Sequence, residues 1–236
     1  MSLFQILSIL GIGGCVGVAL LHYVLIARRQ PHPGHGERRV RRYNLWERLI
    51  HVVLAVTFLV LAVTGFWASI GWDGPMSGYN LMIHTTCGAV FAVCVAVSLL
   101  TWAADHALAR HDSRWLARGG GFSTRGDLPA GRFSACDKIY FWLAGLLTLA
   151  ALLSMLLSMI PLLGTDAQHL MYHVHRYSTL VLVILTLWHG YATSVAKRGG
   201  VGAILSGRVS RSWARRYHPL WGGGRGEPQQ AGTQPD

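Results

Sequence analysis

Apolar positions along this chain fall in blocks, separated by short polar and basic stretches. Five stretches contain no Asp, Glu, Lys or Arg: 3–27, 49–72, 81–104, 139–165 and 177–196. Each is 20 or more residues long. At 1.5 Å per residue, a helix of that length crosses a hydrocarbon core of ~30 Å. The pattern predicts five transmembrane helices. The first block lacks a basic residue ahead of it, is followed by no A-x-A site, and ends in Arg28-Arg29. It is therefore expected to be a retained helix rather than a cleaved signal.

The polar stretches divide the chain further. Residues 28–44 and 117–132 are rich in Gly, Pro and Arg and read as irregular connections. Residues 202–221 mix apolar residues with arginines and suit a membrane surface. Three parts follow: a helix and basic linker over 1–42, a bundle with a C-terminal motif over 43–221, and a disordered tail over 222–236.

The net charge of +11 resembles a nucleic-acid signal until it is mapped. Twenty of the 21 Lys and Arg residues lie in 28–48, 105–138 and 197–225; the exception, Arg176, is expected at the head of the last helix. Basic residues on alternate connections mark the cytoplasmic side. This places 28–48, 105–138 and 197–236 in the cytoplasm and the N-terminus outside. A basic membrane face explains the charge, and no nucleic-acid partner is expected. The composition, 52% hydrophobic and 13% charged, fits one compact membrane unit. Cys15, Cys87, Cys94 and Cys136 form no C-x-x-C pair and read as small apolar fillers. "GIGG" at 11–14 falls inside a helix, where it serves packing.

Histidines carry the chemistry. His32, His35, His106, His111 and His218 fall in basic segments and read as solvated loop residues. Helix direction sorts the others by depth: His84 and His175 near the outer side, His51 and His189 near the cytoplasm. His175 and His189 are fourteen residues apart, which advances a helix by about 21 Å and turns it to within about 40°. They face one interior, one above the other. His173 lies about 160° from His189 in azimuth and is expected to face outward. Two imidazoles at each of two depths suit two haem irons, each with both axial positions closed, which leaves electron transfer as the chemistry. Gly88 and Thr179 lie one turn after His84 and His175 and offer room for a porphyrin; Arg176 offers a partner for a propionate. A competing reading makes these histidines hydrogen-bonded helix-end residues without a cofactor. A shared zinc ion is excluded by the separation of the two levels.

Several segments resemble the gamma subunit of respiratory formate dehydrogenase, a di-haem cytochrome b: "YNLWERLIHVVLAVTFLVLAVTGF" (43–66), "LMIHTTCG" (81–88), "AGRFSACDKIYFW" (130–142), "HRYSTLVLVILTLWHGYA" (175–192) and "GRVSRSWARRYHPLW" (207–221). The last is the most specific. The resemblance implies an all-α fold, a four-helix bundle near 47–70, 80–103, 138–162 and 170–194, with helix 3–27 as an addition. It implies two haem b groups, one on His84 and His175 and one on His51 and His189, with Gly88, Gly190 and Arg176 beside them. It further implies an inner-membrane location and an iron–sulfur subunit with its own anchor helix. A molybdenum or tungsten catalytic subunit outside, and a quinone near the cytoplasmic haem, complete the picture. Where family members often carry Asn and Gln, this chain has Ser134 and Asp137. Asp137 reads either as a proton source for a reduced quinone or as an exposed acid favoured at a helix start. Two other functions stay open: the same cytochrome serving a nickel–iron hydrogenase or another molybdenum oxidoreductase, and a cofactor-free membrane anchor.

Overall fold

The computed structural model describes residues 1–29, 39–72, 76–120, 128–160 and 164–222. The tail, the centres of the two irregular connections, and with them His32 and His35, lie outside the described residues. Five helices among the described residues are long and apolar enough to cross a membrane. They are α1 (Leu3–Leu25), α2 (Leu45–Phe66), α3 (Gly78–Trp102), α5 (Ala135–Ser158) and α6 (Gly164–Gly190). α2 and α6 each continue into a wider π-helical stretch, Trp67–Trp72 and Tyr191–Ala196. Outward-facing Leu10, Leu59, Leu100 and Leu146 are all more than 60% exposed, as a lipid-facing surface requires. Within the spans, Thr57, Thr64 and Thr101 return their hydroxyls to carbonyls four residues back, so no hydroxyl hydrogen is stranded.

α6 begins at Gly164, earlier than the charge-free run implied, because a helix carries polar residues such as Asp166 and His169 once it clears the apolar layer. Arg176 therefore lies midway along α6, not at its head.

α2 packs on α3 and α5 packs on α6; the two pairs meet along α3 and α5, while α1 lies against α6. α2 and α6 are thus held apart across the bundle, leaving interior space between helices that carry histidines.

One end of the bundle is closed by a cap built from the basic segments. It contains α4 (Arg110–Ala117), α7 (Gly202–Leu205), α8 (Arg211–Tyr217) and α9 (Pro219–Gly222). It also contains two short strands, β1 (Arg39–Arg41) and β2 (Arg208–Ser210), paired antiparallel with Val40 opposite Val209. Apart from this pair of three-residue strands the elements among the described residues are helical, as the all-α expectation has it. Gly207 explains part of the C-terminal motif. Its φ is +75°, and a Cβ there would lie 2.6 Å from the Tyr43 carbonyl oxygen. Its own carbonyl accepts from the Arg42 and Tyr43 amides at 2.8 and 3.2 Å. Val209, Trp213 and Ala214 bury in the cap core, and the Ser210 hydroxyl caps α8 by accepting from the Trp213 amide.

His106 and His218 are buried in this cap, which corrects their reading as solvated. His106 sits between Phe133 and Phe141, with ring centroids at 4.1 and 4.0 Å, and its Nδ1–H donates to the Trp102 carbonyl. His218 Nδ1–H donates to the Gly131 carbonyl at 2.8 Å. Burial pushes both imidazoles below the usual 6.5. Arg42 and Lys197 depress His218 further against Asp137, and Lys138 opposes the pull of Asp137 and Asp105 on His106. The unfolded chain therefore binds more protons than the folded one once the pH drops below about 6.5, and stability falls with it. Thermal unfolding, followed from pH 8 to 5, is expected to shift to lower temperature below about pH 6.5. A flat profile down to pH 5 would show that neither histidine is held neutral.

Candidate functional site

Four histidines project into the bundle from three helices: His51 from α2, His84 from α3, and His175 and His189 from α6. The structure brings His84 and His175 together away from the cap, with ring centroids 6.4 Å apart and planes inclined at 68°. A metal bonded to a nitrogen of each ring at about 2 Å would hold the centroids about 6 Å apart. Each ring is oriented through its other nitrogen. His175 Nδ1–H donates to the Ala151 carbonyl of α5 at 2.9 Å. The Thr64 hydroxyl donates to the Val60 carbonyl, so its oxygen accepts from His84 Nδ1–H at 2.8 Å. Both tautomers are thereby set, and Nε2 of each ring is left for ligation. Metal-bound imidazoles are held this way.

A close-packed glycine belongs to this pair, but it is Gly65 rather than Gly88. A Cβ on Gly65 would lie 3.3 Å from His84 Cε1. At Gly88 it would make an ordinary 3.8 Å contact with Leu61, between α2 and α3. Thr179 returns its hydroxyl to the His175 and Arg176 carbonyls. Arg176 lays its guanidinium over Phe4 of α1, 4.3 Å from the ring centroid, and its Nε has no hydrogen-bond partner among the described residues. α1 thus buttresses the side of α6 behind His175. His173 is exposed and stacks on Tyr177, outside the interior.

Nearer the cap, His51 and His189 line one cavity of about 440 Å³ walled by α2, α3, α5 and α6. That volume lies in the range of sites that take a ring-sized ligand. Phe58, Phe91 and Leu182 make its sides apolar, and Gly190 also borders it, with open space where a Cβ would be. His51 Nδ1 is buried and has no hydrogen-bond partner among the described residues. An orphaned nitrogen in apolar surroundings costs free energy until a ligand meets it. Tyr140 stacks on His189 at 4.0 Å and 8°, its hydroxyl near the Thr186 hydroxyl at 3.1 Å. Sequence reasoning missed Tyr140, although it lies in the "AGRFSACDKIYFW" segment. The His84–His175 pair fits a planar ring carrying a central metal, and the cavity lined by His51 and His189 has apolar walls that suit such a ring.

Ser134 and Asp137 sit at the start of α5. Asp137 is buried, which corrects the reading of an exposed acid. Its carboxylate accepts from the Ser134 amide and hydroxyl at 3.0 and 2.7 Å and pairs with Lys197 at 3.6 Å. It borders the cavity while holding α5 to the segment after α6. Nearby, Arg132 binds Glu47 at 2.5 Å and Asp105 at 2.6 Å, and the Trp102 indole N–H donates to Glu47 at 3.1 Å.

The family model of the prokaryotic cytochrome b561 matches residues 42–207. The chain is 22% identical over 191 residues to the formate dehydrogenase cytochrome b556(fdo) subunit of Escherichia coli K12, covering 76% of this chain and 90% of that protein. It is 25% identical over 211 residues to the formate dehydrogenase cytochrome b556 subunit of Haemophilus influenzae, covering 78% and 83%. It is 23% identical over 202 residues to the nitrate-inducible formate dehydrogenase cytochrome b556(Fdn) subunit of E. coli K12, covering 78% and 90%.

Proposed function

The chain belongs to the prokaryotic cytochrome b561 family, a haem b family with a membrane electron-transfer role, and from that premise we propose that it is the di-haem membrane subunit of a formate dehydrogenase-type complex. The observation that carries the reading is the His84–His175 pair, with both Nδ1 atoms engaged and the rings 6.4 Å apart. Haem b, when bound, would supply reversible one-electron transfer. His84 and His175 are assigned to one haem, and His51 and His189 to the other. Thr64 and Ala151 orient the first pair, and Tyr140 orients His189. Arg176 is assigned to a propionate of the first haem.

The concentration of Lys and Arg in the cap supports a cytoplasmic position for that end, in a bacterial inner membrane with the N-terminus in the periplasm. In this arrangement the chain takes electrons near His84 and His175 from an iron–sulfur subunit anchored by its own helix. A molybdenum or tungsten subunit beyond it oxidises formate. The chain delivers the electrons to quinone at the capped end, where Ser134, Asp137 and Gly190 are assigned to the quinone's surroundings. The relatives' formate dehydrogenase membership and their near full-length coverage support the choice of partner enzyme.

The purified chain is expected to show a redox-sensitive b-type spectrum with two haems per polypeptide by the pyridine haemochrome method. A single haem would overturn the two-site assignment, and no haem would favour a bare anchor. His173→Ala is expected to keep both haems, because His173 stands outside the interior. Loss of a haem from that variant would reverse the choice of His175 as ligand.

A further inference from the structure

Two buried side chains at the capped end present polar atoms that have no hydrogen-bond partner among the described residues. His218 has no exposed surface, and its Nε2 lacks a hydrogen-bond partner. Arg42 is 8% exposed; its guanidinium lies over the Trp213 ring at 4.7 Å and its Nη2 donates to the Arg132 carbonyl at 3.1 Å, while its buried Nη1 has no hydrogen-bond partner among the described residues. Both residues line the cavity that holds His51 and His189. Leaving such atoms without a hydrogen bond costs free energy, so their persistence points to a ligand.

The chemistry of the two atoms is specific. A carbonyl oxygen only accepts, so the contact with Gly131 fixes the proton of His218 on Nδ1. Burial, Arg42 and Lys197 hold the ring neutral against Asp137. Nε2 is then a bare acceptor, whereas Arg42 Nη1 is a donor. A carboxylate or a carbonyl would satisfy Arg42 alone. A hydroxyl satisfies both, and the apolar walls suit a ring that carries one.

We propose that Arg42 and His218 bind one oxygen of the quinone ring, Arg42 donating to it in both redox states and His218 Nε2 accepting from the hydroxyl of the reduced ring. This rests on the reading of the chain as a quinone-reducing cytochrome. The cap then recognises the reduced ring more tightly than the oxidised one, which favours reduction in the site.

The test titrates the haem-loaded full chain by calorimetry. A short-chain quinone is added to the oxidised protein, and its quinol to the reduced protein, so that no electrons pass in either case. His218→Phe is expected to weaken quinol binding about 10-fold and quinone binding little. Arg42→Gln is expected to weaken both. His218→Gln, which keeps an acceptor near the Nε2 position, should recover part of the quinol affinity and guards against a folding defect in the phenylalanine variant. Equal weakening of both ligands in His218→Phe would overturn the proposal. So would an altered midpoint potential of the haem on His51 and His189 with ligand binding intact, which would assign these residues to haem carboxylates. A wild-type chain that binds neither ligand would sink the quinone reading itself, and the proposal with it.

Discussion

His189→Ala is expected to leave one haem per chain where the wild type holds two. The remaining haem should be the one on His84 and His175, which share no helix turn or hydrogen-bond partner with His189. Among the described residues that line the cavity, His106 is not free to substitute. His106 is wedged between two phenylalanines and tied to the Trp102 carbonyl. A haem held there by one histidine instead of two would be bound less tightly. Haem per polypeptide, measured by pyridine haemochrome, should fall from about two to about one, and His51→Ala should do the same. An unchanged ratio in both variants would show that these histidines are not the ligands.

The second large effect is expected at Glu47. One carboxylate oxygen accepts from Arg132 and from the Trp102 indole, and the other accepts from the Asn44 amide that begins α2. Glu47→Ala takes from Arg132 one of its two carboxylate partners, leaves the Trp102 indole N–H without its acceptor, and removes half of the capping box formed with Asn44. Removing one partner of a buried ion pair costs several kcal/mol, while the partial exposure of Arg132 screens part of this. A loss of about 2–4 kcal/mol is expected, read from denaturant unfolding in detergent. Glu47 lies one turn before His51 on the same face of α2, so the cavity haem should also be released more readily. Glu47→Gln, which keeps the shape and the indole bond, should lose less. Equal stability of Glu47→Ala and the wild type would mean that the network is a surface ornament.

The membrane architecture was legible because hydropathy and charge are local signals. A run of twenty apolar residues needs no partner to reveal a span, and positions fourteen apart on one helix declare a shared face. The cap was illegible for the opposite reason. Val40 meets Val209, and His218 meets Gly131, through contacts between residues far apart in the chain. No periodicity near His218 distinguishes a buried imidazole from a solvated one among arginines. Gly65 escaped notice because its neighbour, His84, belongs to the next helix. Asp137 was read as an acid at a helix start, which it is, but its burial depends on Lys197, which follows α6.

The pairing of β1 with β2 also sets an order of events during synthesis. Val209 is made 169 residues after Val40. At 5–20 residues per second, that is roughly ten to thirty seconds. Within that interval the four helices of the bundle, from Leu45 to Gly190, are made in turn, and the capped end stays unsealed until β2 follows them. β2 and the tail motif act as a late closure, and a chain interrupted before residue 208 lacks the strand that shuts it.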